Sequence, residues 1–404
     1  MCEDCKVVFF SGTRFTERDY QRFGIAILQQ NGFKVEIWDG SAIIYPKAQG
    51  KVSLVGENAS IIDKTFFRIK DLENSIAACS KNSIIICLFS LNTKTLPIFR
   101  LLSKNNITWG VNNTNSLPVP KMYYSASTKY RHYLSRLLKD NLLTSTQAFA
   151  NKIILKHYYL FGVRPAAYVL MGGTRSTDFI NTPIDRSTQR IKMHSMDYDT
   201  YLEEKNNPEE KDERLCVFID TYSTTDPDRF YHGEGSTYYP TEAYYRNINW
   251  FFEHLENRFG YRIIILSHPK MRPAEDQKIF GNRERIYGKT AHYVKNAACV
   301  LTHESTAISF AILFKKPILF LTSHEINQMP NGRNINTFAE LLGKKPINID
   351  NPFPSELENL QEVDISLYNG YVSSYITQIP NDIPSWQVFS DYFSKGKNMP
   401  KHLI

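Results

Sequence analysis

Three apolar runs in the second half of the chain indicate its fold: YRIIILSHPK at residues 261–270, AACVLTHESTA at 297–307 and PILFLTS at 317–323. The first run is apolar and rich in β-branched residues, which predicts a buried strand that stops before His268. The second run predicts a strand whose end carries hydroxyl groups, and residues 308–315 follow it with helical spacing. Strand, polar turn, helix and strand in succession indicate a parallel α/β sheet with its ligand crevice at the carboxyl ends of the strands.

Working outward, the same alternation extends over most of the chain. Strands are predicted at 6–10, 35–38, 61–69, 83–89, 107–111 and 166–170 in the first half, and at 215–219, 263–266, 299–302 and 318–321 in the second. Helical patterns separate them, so the predicted fold class is α/β with two Rossmann-like domains that face a central cleft. The aromatic-rich tail from Ser366 to Phe393 is predicted to form helices that bridge the two domains.

The segment at 201–214 carries nine charges and a proline in fourteen residues, which predicts a solvated loop and a domain boundary. The predicted domains are therefore 1–200, a linker at 201–214, a second domain at 215–365, and bridging helices and tail at 366–404.

Composition excludes several classes of protein. The chain has 404 residues and a formal net charge of +7, an excess too diffuse to indicate nucleic acid as a partner. No run approaches the ~18 apolar residues of a membrane span, and the start lacks a secretory signal, so we expect a cytoplasmic protein. Four cysteines beside apolar runs are predicted to be buried thiols: Cys79, Cys87, Cys216 and Cys299. Cys2 and Cys5 form a Cys-x-x-Cys pair, but no second pair follows at the spacing of a zinc site.

Two residues after buried strands are the catalytic candidates. Asp220 follows the strand at 215–219, where a general base would lie at the mouth of the cleft; the alternative is a carboxylate that caps the next turn. His268 follows the strand at 263–266 and precedes Pro269, which fixes the turn, so it is placed to donate a hydrogen bond to a phosphate. Lys270 is a basic residue that either pairs with the same phosphate or is merely solvated.

Further candidates surround these two. The sequence His303-Glu304-Ser305-Thr306 precedes a helix, where hydroxyls cap the helix or bind a phosphate through the same free donors, and Glu304 could accept hydrogen bonds from a ribose. Asp226 and Asp228 flank Pro227 and are either sugar contacts or turn residues. Four residues after the first strand are predicted either to contact a sugar or to form a simple tight turn: Ser11, Gly12, Thr13 and Arg14. The spacing matches no compact metal motif, and we predict no metal site.

With these residues in view, the second half resembles bacterial GT-B-type glycosyltransferases that use cytidine-activated donors, such as sialyltransferases and polysialyltransferases. Those families share an acidic motif that supplies the catalytic base, and a His-Pro motif and a Ser/Thr pair that contact the CMP phosphate. The matching elements are Asp220, His268-Pro269 and Ser305-Thr306, in that chain order, within residues 215–323. One departure is that the acidic motif of those families is a pair of acids followed by glycine, whereas Thr221 and Tyr222 follow Asp220.

The resemblance implies a GT-B-like fold with the acceptor on the first domain and the nucleotide sugar on the second. The residues expected to contact the donor nucleotide are Pro269, Lys270, His303, Glu304, Ser305 and Thr306. The resemblance also implies inverting, metal-independent transfer of a nonulosonic acid, sialic or pseudaminic-like, from a CMP donor to an oligosaccharide or lipid-linked glycan of a capsule or lipopolysaccharide. The donor is a substrate, so no cofactor is expected. Two alternatives stay open: a Kdo or glycerol-phosphate transferase with a cytidine-activated donor, and a non-catalytic scaffold that binds nucleotide sugars. Peripheral contact with the inner membrane is a further expectation, because basic residues such as Lys152, Lys156 and Arg164 suit anionic lipid, although a solvated surface explains them equally well.

Overall fold

Two parallel β-sheets organise the chain. The computed structural model describes residues 5–48, 58–79, 82–118, 142–178, 180–221, 240–268, 278–329, 332–351, 362–379 and 381–394. The strands of the first sheet are Lys6–Ser11 (β1), Lys34–Asp39 (β2), Lys64–Thr65 (β3), Ser83–Cys87 (β4), Thr108–Asn113 (β5), Tyr168–Met171 (β6) and Gln189–Lys192 (β7). The strands of the second are Asp212–Ile219 (β8), Arg262–Ser267 (β9), Arg285–Tyr287 (β10), Ala297–Thr302 (β11), Ile318–Thr322 (β12) and Ile347–Asn348 (β13).

The six strands of the second sheet follow the order of the first six strands of the first sheet, which has a seventh strand at one edge. The order is β3-β2-β1-β4-β5-β6-β7 in the first sheet and β10-β9-β8-β11-β12-β13 in the second. In each sheet the chain winds outward in one direction, returns to the centre and winds outward in the other, which is the Rossmann-like order. The predicted fold of two Rossmann-like domains is confirmed. The central strands are apolar on both faces because helices cover both sides, as in β4, where all five residues are buried.

Helices connect the strands. In the first domain they are Glu17–Arg22 (α1), Ile25–Gln30 (α2), Ser41–Ile44 (α3), Ile69–Ala77 (α4), Leu96–Lys104 (α5) and Leu142–Lys156 (α6), with 3₁₀ turns at Pro46–Ala48, Ala59–Ile61 and Tyr158–Phe161. After β7 the helices are Tyr198–Lys205 (α7), Glu242–Phe259 (α8), Thr290–Asn296 (α9), Ile308–Leu313 (α10), His324–Gln328 (α11), Gly332–Leu341 (α12), Ile365–Tyr371 (α13) and Ser385–Ser394 (α14), with a π-helical turn at Val372–Ile376. Among the described helices, none combines the length and the hydropathy that crossing a bilayer requires.

The C-terminal helices bridge the domains, as predicted. Three tyrosines of α13 and the π-helical turn belong to the core of the second domain: Tyr368, Tyr371 and Tyr375. Trp386 and Phe389 of α14 belong instead to the core of the first domain. The Trp386 ring centroid lies 5.1 Å from that of Phe9, and its indole N–H donates to the Arg22 carbonyl over 2.9 Å. Gly24 has a φ of +53°, and a Cβ there would lie 2.5 Å from Trp386, so glycine permits both the conformation and the close approach.

The chain crosses between the domains twice, and the two crossings are bonded to each other. The Ser195 amide donates to the Ile376 carbonyl over 2.7 Å. The buried His194 has Nδ1 at 2.6 Å from the Thr377 hydroxyl, which itself donates to the Ile379 carbonyl, so His194 Nδ1–H is the donor. Burial lowers the pKa of His194 to about 4. The imidazole is therefore a neutral, fixed part of the interdomain junction.

A second contact of the junction involves a carboxylate. Asp199 at the start of α7 accepts a hydrogen bond from the Ser385 amide at the start of α14, over 2.7 Å. Burial is the largest cause that raises the pKa of Asp199, to about 6, and Glu203 raises it further. The amide of Ser385 lowers it, but burial dominates.

Three local expectations are corrected. The strand predicted at 61–69 is only two residues long, Lys64–Thr65, and the helix α4 begins at Ile69. The predicted loop at 201–214 contains the end of α7 and the start of β8, because Tyr198 and Leu202 bury one face of α7 while its charges face solvent. Cys216 and Cys299 are joined in a disulfide across β8 and β11, not free thiols.

The segment at the end of α7 has a specific anchor in the second domain. Lys295 is buried on α9, and its ammonium donates to the carbonyls of Glu204, in the last turn of α7, over 2.7 Å and of Asn207, just past that helix, over 2.5 Å. A cation at a helix C-terminus satisfies carbonyls that have no partner within the helix. The segment after α7 is therefore fastened to the second domain.

Candidate active site

The crevice of the second domain lies where the strand order reverses, between β8 and β11. In such sheets ligands bind outside the carboxyl ends of the strands at this switch point. Ile219, the last residue of β8, pairs with Leu266 of β9 on one side and with Thr302 of β11 on the other. Neighbouring strands are about 4.8 Å apart. The residues that follow these three, including Asp220, His268 and Glu304, are thus brought to one edge of the sheet.

Asp220 continues directly from the end of β8. Its amide donates to the Leu266 carbonyl over 3.0 Å, which extends the β8–β9 pairing by one residue. Its side chain is buried, with 4% exposure. This position suits a base that acts on a hydroxyl delivered from the crevice, and it equally suits a structural carboxylate, so the assignment of Asp220 as the base stays a prediction.

His268 follows β9 and is half-buried. Pro269 and Lys270 lie outside the described residues, as do Asp226 and Asp228. The neighbouring Ser267 is buried and accepts a hydrogen bond on its hydroxyl from Arg285 Nε of β10, over 3.3 Å. The sequence reasoning missed Arg285, a cation bonded to Ser267, the residue before His268. The short β10, with only three residues, gave too weak a strand pattern to place it.

His303 follows β11 and its buried imidazole forms two hydrogen bonds to neighbouring elements. Its Nδ1–H donates to the Leu321 carbonyl of β12 over 2.7 Å, and its Nε2 accepts from the Tyr244 hydroxyl of α8, also over 2.7 Å. Burial lowers its pKa to about 4, so the imidazole is neutral. The ring is fully buried and both of its nitrogens are bonded within the protein, so the side chain faces away from solvent. This position differs from the contact with the nucleotide that was predicted for His303. The imidazole fixes the start of the turn that follows.

The turn Glu304–Thr306 joins β11 to α10 and is half-buried. The Ser305 hydroxyl accepts from the Ala307 amide over 3.1 Å, a local cap. The helix α10 has six residues, so its macrodipole is small and the binding capacity of this turn comes from its individual polar groups. Just before it, the hydroxyl of the buried Thr302 has no hydrogen-bond partner within the described residues.

The corresponding edge of the first sheet has a different chemistry. The Ser11 hydroxyl donates to the Thr13 carbonyl over 2.6 Å and closes a tight turn after β1. A Cβ on Gly12 would lie 3.2 Å from both Ile44 and Phe89, so this glycine permits close packing. Ser11 and Gly12 are buried and support the turn, whereas Thr13 and Arg14 are half-exposed. Their predicted contact with a sugar stays a prediction.

A cavity of about 330 Å³ opens beyond the carboxyl ends of β4 and β5. Its polar lining consists of Ser90, Asn112, Asn113, Asn181 and Thr182. The rest of the lining is apolar and comprises the rings of Phe23 and Phe89 together with Cys87, Leu88, Val111, Ile180 and Met196. None of the described residues that line it is charged. The sequence reasoning missed this cavity, because its amides come from the end of β5 and from a segment about 70 residues later in the chain.

A metal site is absent from the described part of the chain, where three or more histidine, cysteine, aspartate or glutamate side chains nowhere gather as ligands.

No family model and no curated protein matches this sequence. Among solved structures, the chain is similar to the wall teichoic acid polymerase TagF, at 14% identity and a TM-score of 0.49, over 96% of this chain and 88% of that one. It is also similar to the UDP-GlcNAc 2-epimerase of Methanocaldococcus jannaschii, at 10% identity and a TM-score of 0.47, over 97% and 100% of the two chains. MurG of Acinetobacter baumannii gives 10% identity and a TM-score of 0.47, over 97% and 99%. Identities this low compare folds and not activities.

Proposed function

We propose that this protein is a glycosyltransferase that transfers a sugar from a cytidine-activated donor to a neutral glycan acceptor. The observation that carries the proposal is the meeting of Asp220, His268 and Glu304 at the switch point of the second sheet. An acid, an imidazole and a turn of hydroxyl groups on one sheet edge are the groups needed to deprotonate an acceptor and to hold a departing phosphate.

Each group has a role in the proposed reaction. Asp220 removes the proton of the acceptor hydroxyl, whose oxygen attacks the anomeric carbon as the bond to the phosphate breaks. His268 and the hydroxyls of Ser305 and Thr306 donate hydrogen bonds to the phosphate as its negative charge develops. Glu304 accepts from the ribose hydroxyls. Direct attack inverts the anomeric centre.

The donor we propose is a CMP-linked nonulosonic acid. The support is the chain order of Asp220, His268-Pro269 and Ser305-Thr306, which resembles the motif order of bacterial sialyltransferases. When the bond between the sugar and the phosphate breaks, CMP leaves as a phosphate monoester whose negative charge is already delocalised. The reaction therefore needs hydrogen-bond donors from the protein more than it needs a divalent cation.

The acceptor we propose lies on the first domain. The 330 Å³ cavity offers amides, hydroxyls and aromatic rings with no charged group among its described lining. Amides and hydroxyls bond sugar hydroxyl groups, and aromatic faces pack on the apolar face of a sugar ring. An uncharged lining gives a neutral glycan an advantage over a phosphate, which would find no cation there.

The test is thermal unfolding of the full chain with CMP, CDP, UDP and GDP, repeated on His268→Ala and on the control His157→Ala in the other domain. A nucleotide at about 100 times its dissociation constant stabilises by roughly 2.7 kcal/mol, which raises the midpoint by a few degrees. We expect a shift with CMP that His268→Ala abolishes and His157→Ala retains.

The other outcomes discriminate between donors. A shift with CDP and not CMP favours transfer of glycerol phosphate, and release of CMP from a Kdo donor favours a Kdo transferase. A shift with UDP or GDP alone overturns the cytidine assignment. Nucleotide binding without turnover of any donor identifies a scaffold.

A further inference from the structure

One surface of the first domain exposes an unusual amount of apolar side chain. On α6 and the 3₁₀ turn after it, Phe149 is 52% exposed, Ile153 38%, Tyr159 61% and Leu160 73%. Single exposed apolar residues are ordinary, but four within twelve residues of one helix and the turn after it are a concentration of the kind that marks interaction sites.

The orientation of this surface is fixed by the opposite face of α6. Ile154 is buried in the domain core, and the Asn151 side-chain oxygen accepts from the Thr93 amide over 2.9 Å. The outward face therefore consists of Phe149, Ile153 and two lysines, Lys152 and Lys156, at positions i, i+4, i+3 and i+7.

The charged side chains of residues 142–164 are all basic. From residue 142 to residue 164 the sequence contains no aspartate or glutamate, and it contains Lys152, Lys156 and Arg164. Arg100 adds a fourth cation, with Nε 4.0 Å from where a Cβ on Gly162 would lie. All four are exposed, and in the described part of the chain no ion pair involves them.

A carboxylate does lie near this surface. The charge of Asp185 helps to raise the pKa of Tyr158, after burial. Asp185 is nevertheless occupied in its own turn, where it accepts from the Ser187 amide over 2.8 Å and from the Ser187 hydroxyl over 2.6 Å. The cations of α6 therefore keep their excess.

We propose that this surface docks the protein on an anionic lipid bilayer. Phenylalanine, isoleucine and leucine side chains enter the headgroup region, while the interleaved lysine and arginine side chains pair with lipid phosphates, as in helices that lie in the interface. A second copy of the chain fits less well, because a symmetric contact would place these cations against one another. The proposal does not depend on the proposed transfer reaction.

The test is flotation of the full chain with phosphatidylcholine vesicles that contain or lack phosphatidylglycerol, at low and high salt. We expect binding to the anionic vesicles only, weakened by salt. Replacing Lys152→Gln and Lys156→Gln together should lower the partition coefficient about fivefold per lysine. The pair Phe149→Ser and Leu160→Ser should lower it at least as much.

The matched control is Ile365→Ser with Lys345→Gln, an exposed apolar residue and an exposed lysine of the second domain. Circular dichroism and the thermal midpoint should be unchanged in all three variants, since every side chain altered is exposed. Absence of wild-type binding to anionic vesicles, or equal losses in the control, would overturn the proposal. So would binding that survives the α6 substitutions while sedimentation velocity shows that they abolish self-association, a result that assigns the surface to a second copy.

Discussion

The two sheets share the order of their six matching strands but present different chemistry at the carboxyl ends of their central strands. The crevice of the second domain collects ionisable groups, with Asp220, His268 and Glu304 on one edge. The cavity of the first domain is lined by amides, hydroxyls and aromatic rings, such as Asn112, Asn181 and Phe89. Equal topology therefore says where a ligand binds, and the side chains that follow each strand say which ligand. The contrast divides the proposed reaction into a charged donor half and a neutral acceptor half.

The largest expected effect is that of Asp220→Asn, which tests the catalytic role proposed for the crevice of the second domain. If Asp220 is the base, transfer from the CMP donor should fall about a thousandfold, since general-base catalysis contributes roughly 10²–10⁴. The CMP-induced thermal shift should remain, because the base contacts the acceptor. Rates are measured by CMP release with the acceptor present. A lowered thermal midpoint with an undiminished rate would show that Asp220 is a structural carboxylate.

The pH dependence of stability has opposing contributions from two buried histidines and a half-buried carboxylate. Folding lowers the pKa of His194 and of His303 from 6.5 to about 4, so between these values the unfolded chain binds more protons and acidification favours unfolding. Asp199 acts in the opposite sense, because its pKa rises from 3.8 to about 6 and acidification over that range favours the folded chain.

Asp199→Asn should therefore steepen the loss of stability between pH 6.5 and pH 4, by about 1 kcal/mol across that window after allowance for solvent screening. The asparagine oxygen can still accept from the Ser385 amide, so the junction is retained. Urea unfolding at a series of pH values measures the effect. A pH profile parallel to that of the wild type would show that Asp199 titrates normally in the folded chain.

Tyr244→Phe tests the support beneath the charged crevice. It removes the donor to His303 Nε2 and leaves a buried acceptor without its partner, which should cost about 1–2 kcal/mol of unfolding free energy. Affinity for CMP should fall as well, because His303 positions the turn that carries Ser305. Urea unfolding and a CMP titration measure the two effects. The control Tyr293→Phe alters a half-exposed tyrosine on α9 and should change neither; equal effects in both variants would contradict the role given to His303.

The smallest expected effect comes from a change in the cavity of the first domain. Asn181→Ala should raise the acceptor KM about three- to tenfold, the loss of one net hydrogen bond, with kcat and the CMP-induced shift unchanged. Asn181 is exposed, so stability should not change. Steady-state kinetics with a varied acceptor measure it. An effect on CMP affinity instead of the acceptor KM would contradict the assignment of the donor to the crevice of the second domain and of the acceptor to the cavity of the first.

The sequence predicted most of the strands because burial on both faces leaves a continuous apolar run, as in Ser83–Cys87 and Ile318–Thr322. It failed where stabilising partners are distant in the chain. Nothing local in the sequence indicates that Tyr244 and Leu321 occupy both nitrogens of His303, or that β8 and β11 bring Cys216 to Cys299 across 83 residues. The helix α7 had a usable signal in Tyr198 and Leu202, four residues apart, which the surrounding charges outweighed.

The packing of α14 has a consequence for synthesis on the ribosome. Chains fold from the N-terminus as they emerge, and the first domain is translated early. Yet Phe9, Phe23 and Phe33 pack against Trp386 and Phe389 of its last helix. The first domain therefore leaves the ribosome with part of its core uncovered, and that core is completed only after α14 has been synthesised.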